Sequence, residues 1–70
     1  MNDSITIHLD EQSLAIPIGC TLERLLELQK RDPRAIATAC NGTFVAREAR
    51  AATPLRDGDK VILFRAITGG

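Results

Sequence analysis

Only one part of this chain, from Thr21 to Asp32, repeats its apolar residues at the spacing of a full helix. Leu22, Leu25 and Leu26 stand at i, i+3 and i+4, and Leu28 widens the stripe that must face a sheet. Thr21 is the expected N-cap, Glu23 complements the dipole in the first turn, and Glu27 is placed to pair with Lys30 or Arg31. Asp32-Pro33 predicts the helix end, because proline disfavours helical geometry in the residue before it. A single helix of this length cannot bury its own apolar face, so strands have to supply the opposing layer.

The strands are legible by their period of two. Ile5, Ile7 and Leu9 alternate with Thr6, His8 and Asp10, and after a turn at Asp10-Glu11-Gln12 a second run places Leu14, Ile16 and Ile18 on one side. These two segments predict a β-hairpin, with Pro17 at an edge or at the strand's end because it cannot donate to a ladder. Ile36 to Cys40 is a third run, and Asn41-Gly42 directly after it is the strongest short hairpin signal, leading into Thr43-Phe44-Val45. Periodicity is lost from Ala46 to Pro54, apart from a possible helical turn at Arg47-Glu48-Ala49-Arg50. Asp57-Gly58-Asp59 then turns into the last strand.

The resulting order is strand, strand, helix, strand, strand, loop, strand. Its economical solution is α+β: a mixed four- to five-stranded sheet with one main helix packed on one face. The first and last strands can lie side by side in parallel at the centre if the helix forms part of the crossover. This is the β-grasp, or ubiquitin-like, arrangement. One domain is expected over residues 1–66, with a flexible tail over 67–70 ending in Gly-Gly.

Composition narrows the function classes. Nine basic and nine acidic residues cancel, so the whole-domain field favours neither nucleic acid nor an anionic membrane. Phe44 and Phe64 are the only aromatic residues, which leaves no stacking platform for bases. No apolar run approaches the roughly 18 residues of a membrane span, and Met1-Asn2-Asp3-Ser4 lacks the features of a signal peptide, so a cytoplasmic protein is expected. Cys20 and Cys40 are too far apart for a Cys-x-x-Cys motif. Cys20 precedes a helix start whose dipole can favour a thiolate, although free cysteine more often serves as a small buried hydrophobe. His8 has no second histidine to make a metal pair, and the charged run Lys30-Arg31-Asp32-Arg34 could contact a partner but reads more readily as a solvated helix end.

The last stretch, Lys60 to Gly70, carries the functional signal. An apolar strand runs nearly to the end and stops in Gly69-Gly70, with no polar linker between. Without Cβ atoms such an arm can thread a narrow channel and present its carboxylate to another active site. It suits activation at the carboxyl carbon followed by attack from sulfur or an amine. By parity, Val61, Leu63, Arg65 and Ile67 share one strand face, and Lys60, Ile62, Phe64 and Ala66 the other. With Lys60 towards solvent, Val61 and Leu63 pack under the helix, while Ile62 and Phe64 form an outward apolar patch, which reads as a docking site beside the tail.

Two stretches resemble the ThiS family, the ubiquitin-like sulfur carriers of thiamine biosynthesis. Asn41-Gly42-Thr43-Phe44-Val45-Ala46-Arg47-Glu48 is similar to that family's Asn-Gly followed by Val-Pro-Arg, with Ala46 in the place of the proline and no aromatic residue after Arg47. Leu55 to Phe64, followed after four residues by the glycines at the end, resembles its Gly-Asp turn, final strand and tail; Gly19 and Thr21 fit its helix start. The resemblance implies that Gly70 is adenylated and converted to a thiocarboxylate, with Gly69 providing clearance. It also implies three partners: an adenylating enzyme resembling ubiquitin-activating enzymes, which uses ATP and magnesium, a sulfur donor protein, and thiazole synthase as acceptor. The domain itself would bind no cofactor and catalyse nothing, acting as a monomeric co-substrate. Ile62, Phe64, Arg65, Ile67 and Thr68 are the expected partner-binding residues.

Two related readings share the tail. The small subunit of molybdopterin synthase has a similar fold and end but often carries prolines just before the final segment, where this chain has Arg65-Ala66. A ubiquitin-like modifier would join the same terminal glycine to lysine in an isopeptide bond. A β-grasp binding module without tail chemistry is the third alternative, and it would tolerate removal of Gly70.

Overall fold

The computed structural model describes residues 3–65. Five strands form one mixed sheet: β1 (Ser4–Leu9), β2 (Gln12–Pro17), β3 (Ile36–Cys40), β4 (Thr43–Val45) and β5 (Lys60–Arg65), in the spatial order β2-β1-β5-β3-β4. The helix α1 (Leu22–Leu28) lies across one face, and a 3₁₀ segment occupies Arg47–Ala52. β1 and β5 are central and parallel, with His8 opposite Lys60 and Leu9 opposite Val61. This is the β-grasp architecture, with five strands rather than four.

Turn chemistry sets the two hairpins. Asp10 takes φ 56° between β1 and β2, and Asn41 and Gly42 take φ 54° and 82° between β3 and β4. Two successive left-handed residues match the right-handed twist of the strands, which is why Asn-Gly closes this hairpin with only two residues. The register that follows pairs Cys40 with Thr43 and Ala39 with Phe44. β3 also pairs with β5, antiparallel, from Ile36 opposite Arg65 to Cys40 opposite Val61.

The core lies between sheet and helix. Ile7, Ile16, Leu22, Leu25, Leu26, Leu55, Val61 and Leu63 are buried together. Each such side chain stabilises the fold by about 1.5–3 kcal/mol when fully removed from water. Thr21 caps α1 as expected, its Oγ1 accepting from the Arg24 amide at 3.1 Å.

Four expectations need correction. Leu28 is exposed, because six residues on from Leu22 it has rotated about 120° away from the buried stripe. Ile18 is exposed too: β2 closes at Pro17, and Gly19 at φ 86° turns the chain out of the sheet. Glu27 pairs with Arg24 at 2.7 Å, not with Lys30 or Arg31. The helix ends at Leu28, before Asp32-Pro33, through a Schellman motif: the Lys30 amide donates to Glu27 O and the Arg31 amide to Leu26 O. Lys30 itself holds the left-handed position at φ 56°, which usually belongs to glycine, so no proline is needed to stop the helix.

Candidate functional site

The candidate site is the end of β5 and the open face of the sheet around it. Along β5, Val61 is 0% and Leu63 9% exposed, whereas Ile62 and Phe64 are 50% and 44% exposed. The alternation places the first pair under α1 and the second pair on the uncovered face, as parity requires. Phe64 stands opposite Ala37, and Ile62 stands opposite Ala39, which in turn faces Phe44. Phe44, 64% exposed, therefore extends the patch across three strands.

Small side chains at Ala37 and Ala39 leave the flanks of Ile62, Phe64 and Phe44 open. Among the described residues no layer covers this apolar surface. Phe44 was not among the expected partner-facing residues, yet its membership was recoverable. The two-residue Asn-Gly loop already puts Phe44 opposite Ala39; only the pairing of β3 with β5 had to come from the tertiary structure.

The strand end is held from both sides. Asp10 folds back from its hairpin turn, and its Oδ1 accepts the Leu63 amide at 3.1 Å, supplying the next rung after β1 has ended. On the other side Arg50 is buried and binds the connection into β3: Nη1 donates to Pro33 O at 2.9 Å, Nη2 to Ile36 O, and Nε to Thr38 Oγ1 at 3.2 Å. Ile36 is the residue opposite Arg65, so this clamp fixes the partner of the last described position in β5. Burial lowers the Arg50 pKa, with Arg47 adding to that effect and Glu48 opposing it. Sequence reading offered no signal for the burial of Arg50, which lies in a stretch without periodicity.

Arg65 is exposed at the end of β5. Ile67, Thr68, Gly69 and Gly70 lie outside the described residues, as does the expected boundary between domain and tail. Cys20 is buried, and burial raises its thiol pKa, outweighing the opposite influence of Arg24. It therefore belongs to the core as a small hydrophobe and not to a thiolate site. His8 is exposed, and no cluster of potential metal ligands occurs among the described residues.

The ThiS family model matches residues 3–70. The sulfur carrier protein ThiS of Escherichia coli (strain K12) is 34% identical over 64 residues, covering 91% of this chain and 97% of that protein. Among solved structures, the thiamine biosynthesis protein ThiS from Geobacter metallireducens superposes with a TM-score of 0.82 at 23% identity, covering 94% of this chain and all of that one. The ubiquitin of Caldiarchaeum subterraneum shares the fold more distantly, with a TM-score of 0.53 at 18% identity over 96% of each chain.

Proposed function

Given that this chain belongs to the ThiS family, we propose that it is a sulfur carrier whose Gly70 carboxylate is adenylated and then converted to a thiocarboxylate. The observation that carries the reading is the extent of the family match, which runs through Gly70 and so includes the terminal glycines. The chemistry belongs to the partners. An adenylating enzyme uses ATP and magnesium to join AMP to the carboxylate and releases pyrophosphate. A sulfur nucleophile then attacks the acyl carbon and displaces AMP. Sulfide gives the thiocarboxylate directly, whereas a persulfide on a donor protein gives an acyl disulfide, whose S–S bond a second thiol reduces to release the thiocarboxylate and leave a disulfide. Thiazole synthase takes the sulfur from the thiocarboxylate for the thiazole ring.

The chain contributes an oriented end and a place to dock. Gly70 bears the sulfur, and Gly69 adds no side chain that would obstruct a narrow channel. Ile62, Phe64 and Arg65, extended by Phe44 and continued by Ile67 and Thr68, form the surface against which the partners seat. The central strand β5 carries the docking face and is the last described element before the reactive end in the sequence. The domain is a co-substrate and not an enzyme, works in the cytoplasm and binds no cofactor of its own.

Intact-mass analysis of the protein from cells containing the loading partners tests the proposal. Replacing one terminal oxygen by sulfur adds nearly the mass of a single oxidation, so fragmentation has to locate the change. A shift on Gly70 that a thioacid-specific trap abolishes is expected. A shift on Met1 or a cysteine, or none under loading conditions, would refute the carrier reading. Branched peptides bearing a Gly-Gly remnant on lysine would instead identify a protein modifier.

A further inference from the structure

Although the chain has no net charge, its charges are unevenly placed. A groove beside the end of β5 is lined by Arg31, Arg34 and Arg65 together with Ile36, Leu63 and Phe64. Asp32 is the one acidic residue lining it, and its Oδ1 is engaged by the Arg34 amide at 2.9 Å. None of the three guanidinium groups has a hydrogen-bond or ion-pair partner among the described residues, where the ion pair is Arg24 with Glu27. Other acids lie in the adjoining grooves: Asp10 and Glu11 beside Arg31, with the Asp10 carboxylate already accepting the Leu63 amide, and Glu48 beside Arg34, in a groove that also holds Arg47 and Arg50.

The three cations come together only in the fold. Arg31 and Arg34 follow the Schellman end of α1, and Arg65 arrives from the opposite end of the sequence, brought alongside by the pairing of Ile36 with Arg65. Unpaired arginines that line one groove with Phe64 suit a carboxylate-bearing surface with an apolar socket. Arginine forks match carboxylates bidentately, and fields of one sign speed encounter with a complementary partner.

We propose that this groove receives an acidic surface of the adenylating partner, with the Arg31, Arg34 and Arg65 guanidinium groups steering the encounter and Phe64 seated in an apolar socket among the carboxylates. The proposal rests on the carrier reading above. Its effect falls on association, because surface cations set capture rate more than the rate of chemistry once bound. Arg65 therefore acts in recognition before the tail enters the active site.

The test is ATP–pyrophosphate exchange by the purified adenylating enzyme of the same organism, with the carrier as varied substrate. Arg31→Glu/Arg34→Glu should raise the carrier's KM by about tenfold or more, and leave kcat within about twofold. Arg24→Glu, the same charge reversal away from the groove, should change neither. Raising ionic strength from about 0.01 M to about 0.1 M shortens the screening length from about 30 Å to about 10 Å, and it should lower kcat/KM for the wild type more than for the double variant. Matching thermal melts exclude misfolding of the variants. An unchanged KM in the double variant, or an equal rise with Arg24→Glu, would overturn the steering groove while leaving the carrier function standing. Absence of exchange with the wild type would overturn both.

Discussion

Asp59 carries more of the local structure than a turn residue usually does. Its Oδ1 accepts from Asn41 Nδ2 at 3.0 Å and its Oδ2 from the Arg56 amide at 2.8 Å, while Asn41 Oδ1 accepts the Lys60 amide at 3.0 Å. One carboxylate thus ties the start of β5 to the turn between β3 and β4. Burial acts to raise its pKa, but the hydrogen bonds from Asn41 and Arg56, with the Arg56 charge, prevail and hold it below the ordinary carboxylate value. A folded pKa that is depressed gives stability in full above the unfolded value, near pH 4, and loses it as pH falls through the folded value. Asp59→Asn should therefore melt lower than the wild type at neutral pH, and the gap should close on acidification. Melting curves across pH that keep a constant gap would show that the charge contributes nothing. Cys20 illustrates the opposite case, a titratable group whose burial raises its pKa and favours the neutral thiol.

Between elements, Arg50 joins parts that lie apart in the sequence. From the 3₁₀ segment it reaches Pro33 O, Ile36 O and Thr38 Oγ1, and Thr38 Oγ1 donates onward to Val45 O at 3.0 Å. Loop, β3 and β4 are thereby held through one buried cation. Removing the guanidinium leaves two carbonyls short of a donor, so Arg50→Ala should cost roughly 2–4 kcal/mol. For a domain of this size that is a fall of roughly 10–25 °C in Tm. Arg50→Lys should recover only part of it, since an ammonium cannot reproduce the planar fork. A lysine variant as stable as the wild type would reduce the role of Arg50 to filling space. The hairpins, by contrast, depend on local backbone geometry, which is why Asn41-Gly42 could be read directly.

Across the whole molecule, the two faces of β5 separate the buried core from an open apolar surface. A domain of 70 residues has roughly 4–10 kcal/mol of total stability. Leu25→Ala, in the fully buried layer under α1, should remove about 2–5 kcal/mol of it. Phe64→Ala, on the half-exposed open face, should cost roughly 1 kcal/mol in stability but weaken partner binding by about tenfold or more. Thermal melts and titration with the adenylating enzyme measure the two effects on the same preparations. A Phe64 variant that melts as low as the Leu25 variant and binds normally would place Phe64 in the core.

What the sequence determined by itself was everything governed by neighbours along the chain. Thr21 as cap, Asn41-Gly42 as turn, the alternation of Val61 and Leu63 with Ile62 and Phe64, and the glycines at the end all follow from steric and periodic rules that act over a few residues. Element order was then enough for the β-grasp, because one apolar helix and parallel terminal strands leave few ways to bury a core. Rules of that range misplaced Leu28, Ile18 and the helix end, where rotation about the axis and an unanticipated left-handed Lys30 decided the outcome. Only the tertiary structure could place Arg50 in the interior, Phe44 on the same sheet face as Ile62 across Ala39, and Arg31, Arg34 and Arg65 around one groove. Those groups are distant in sequence; the pairing of β3 with β5 brings Ile62 and Arg65 to their neighbours, and hydrogen bonds to Pro33, Ile36 and Thr38 hold Arg50 inside, contacts that no local preference encodes.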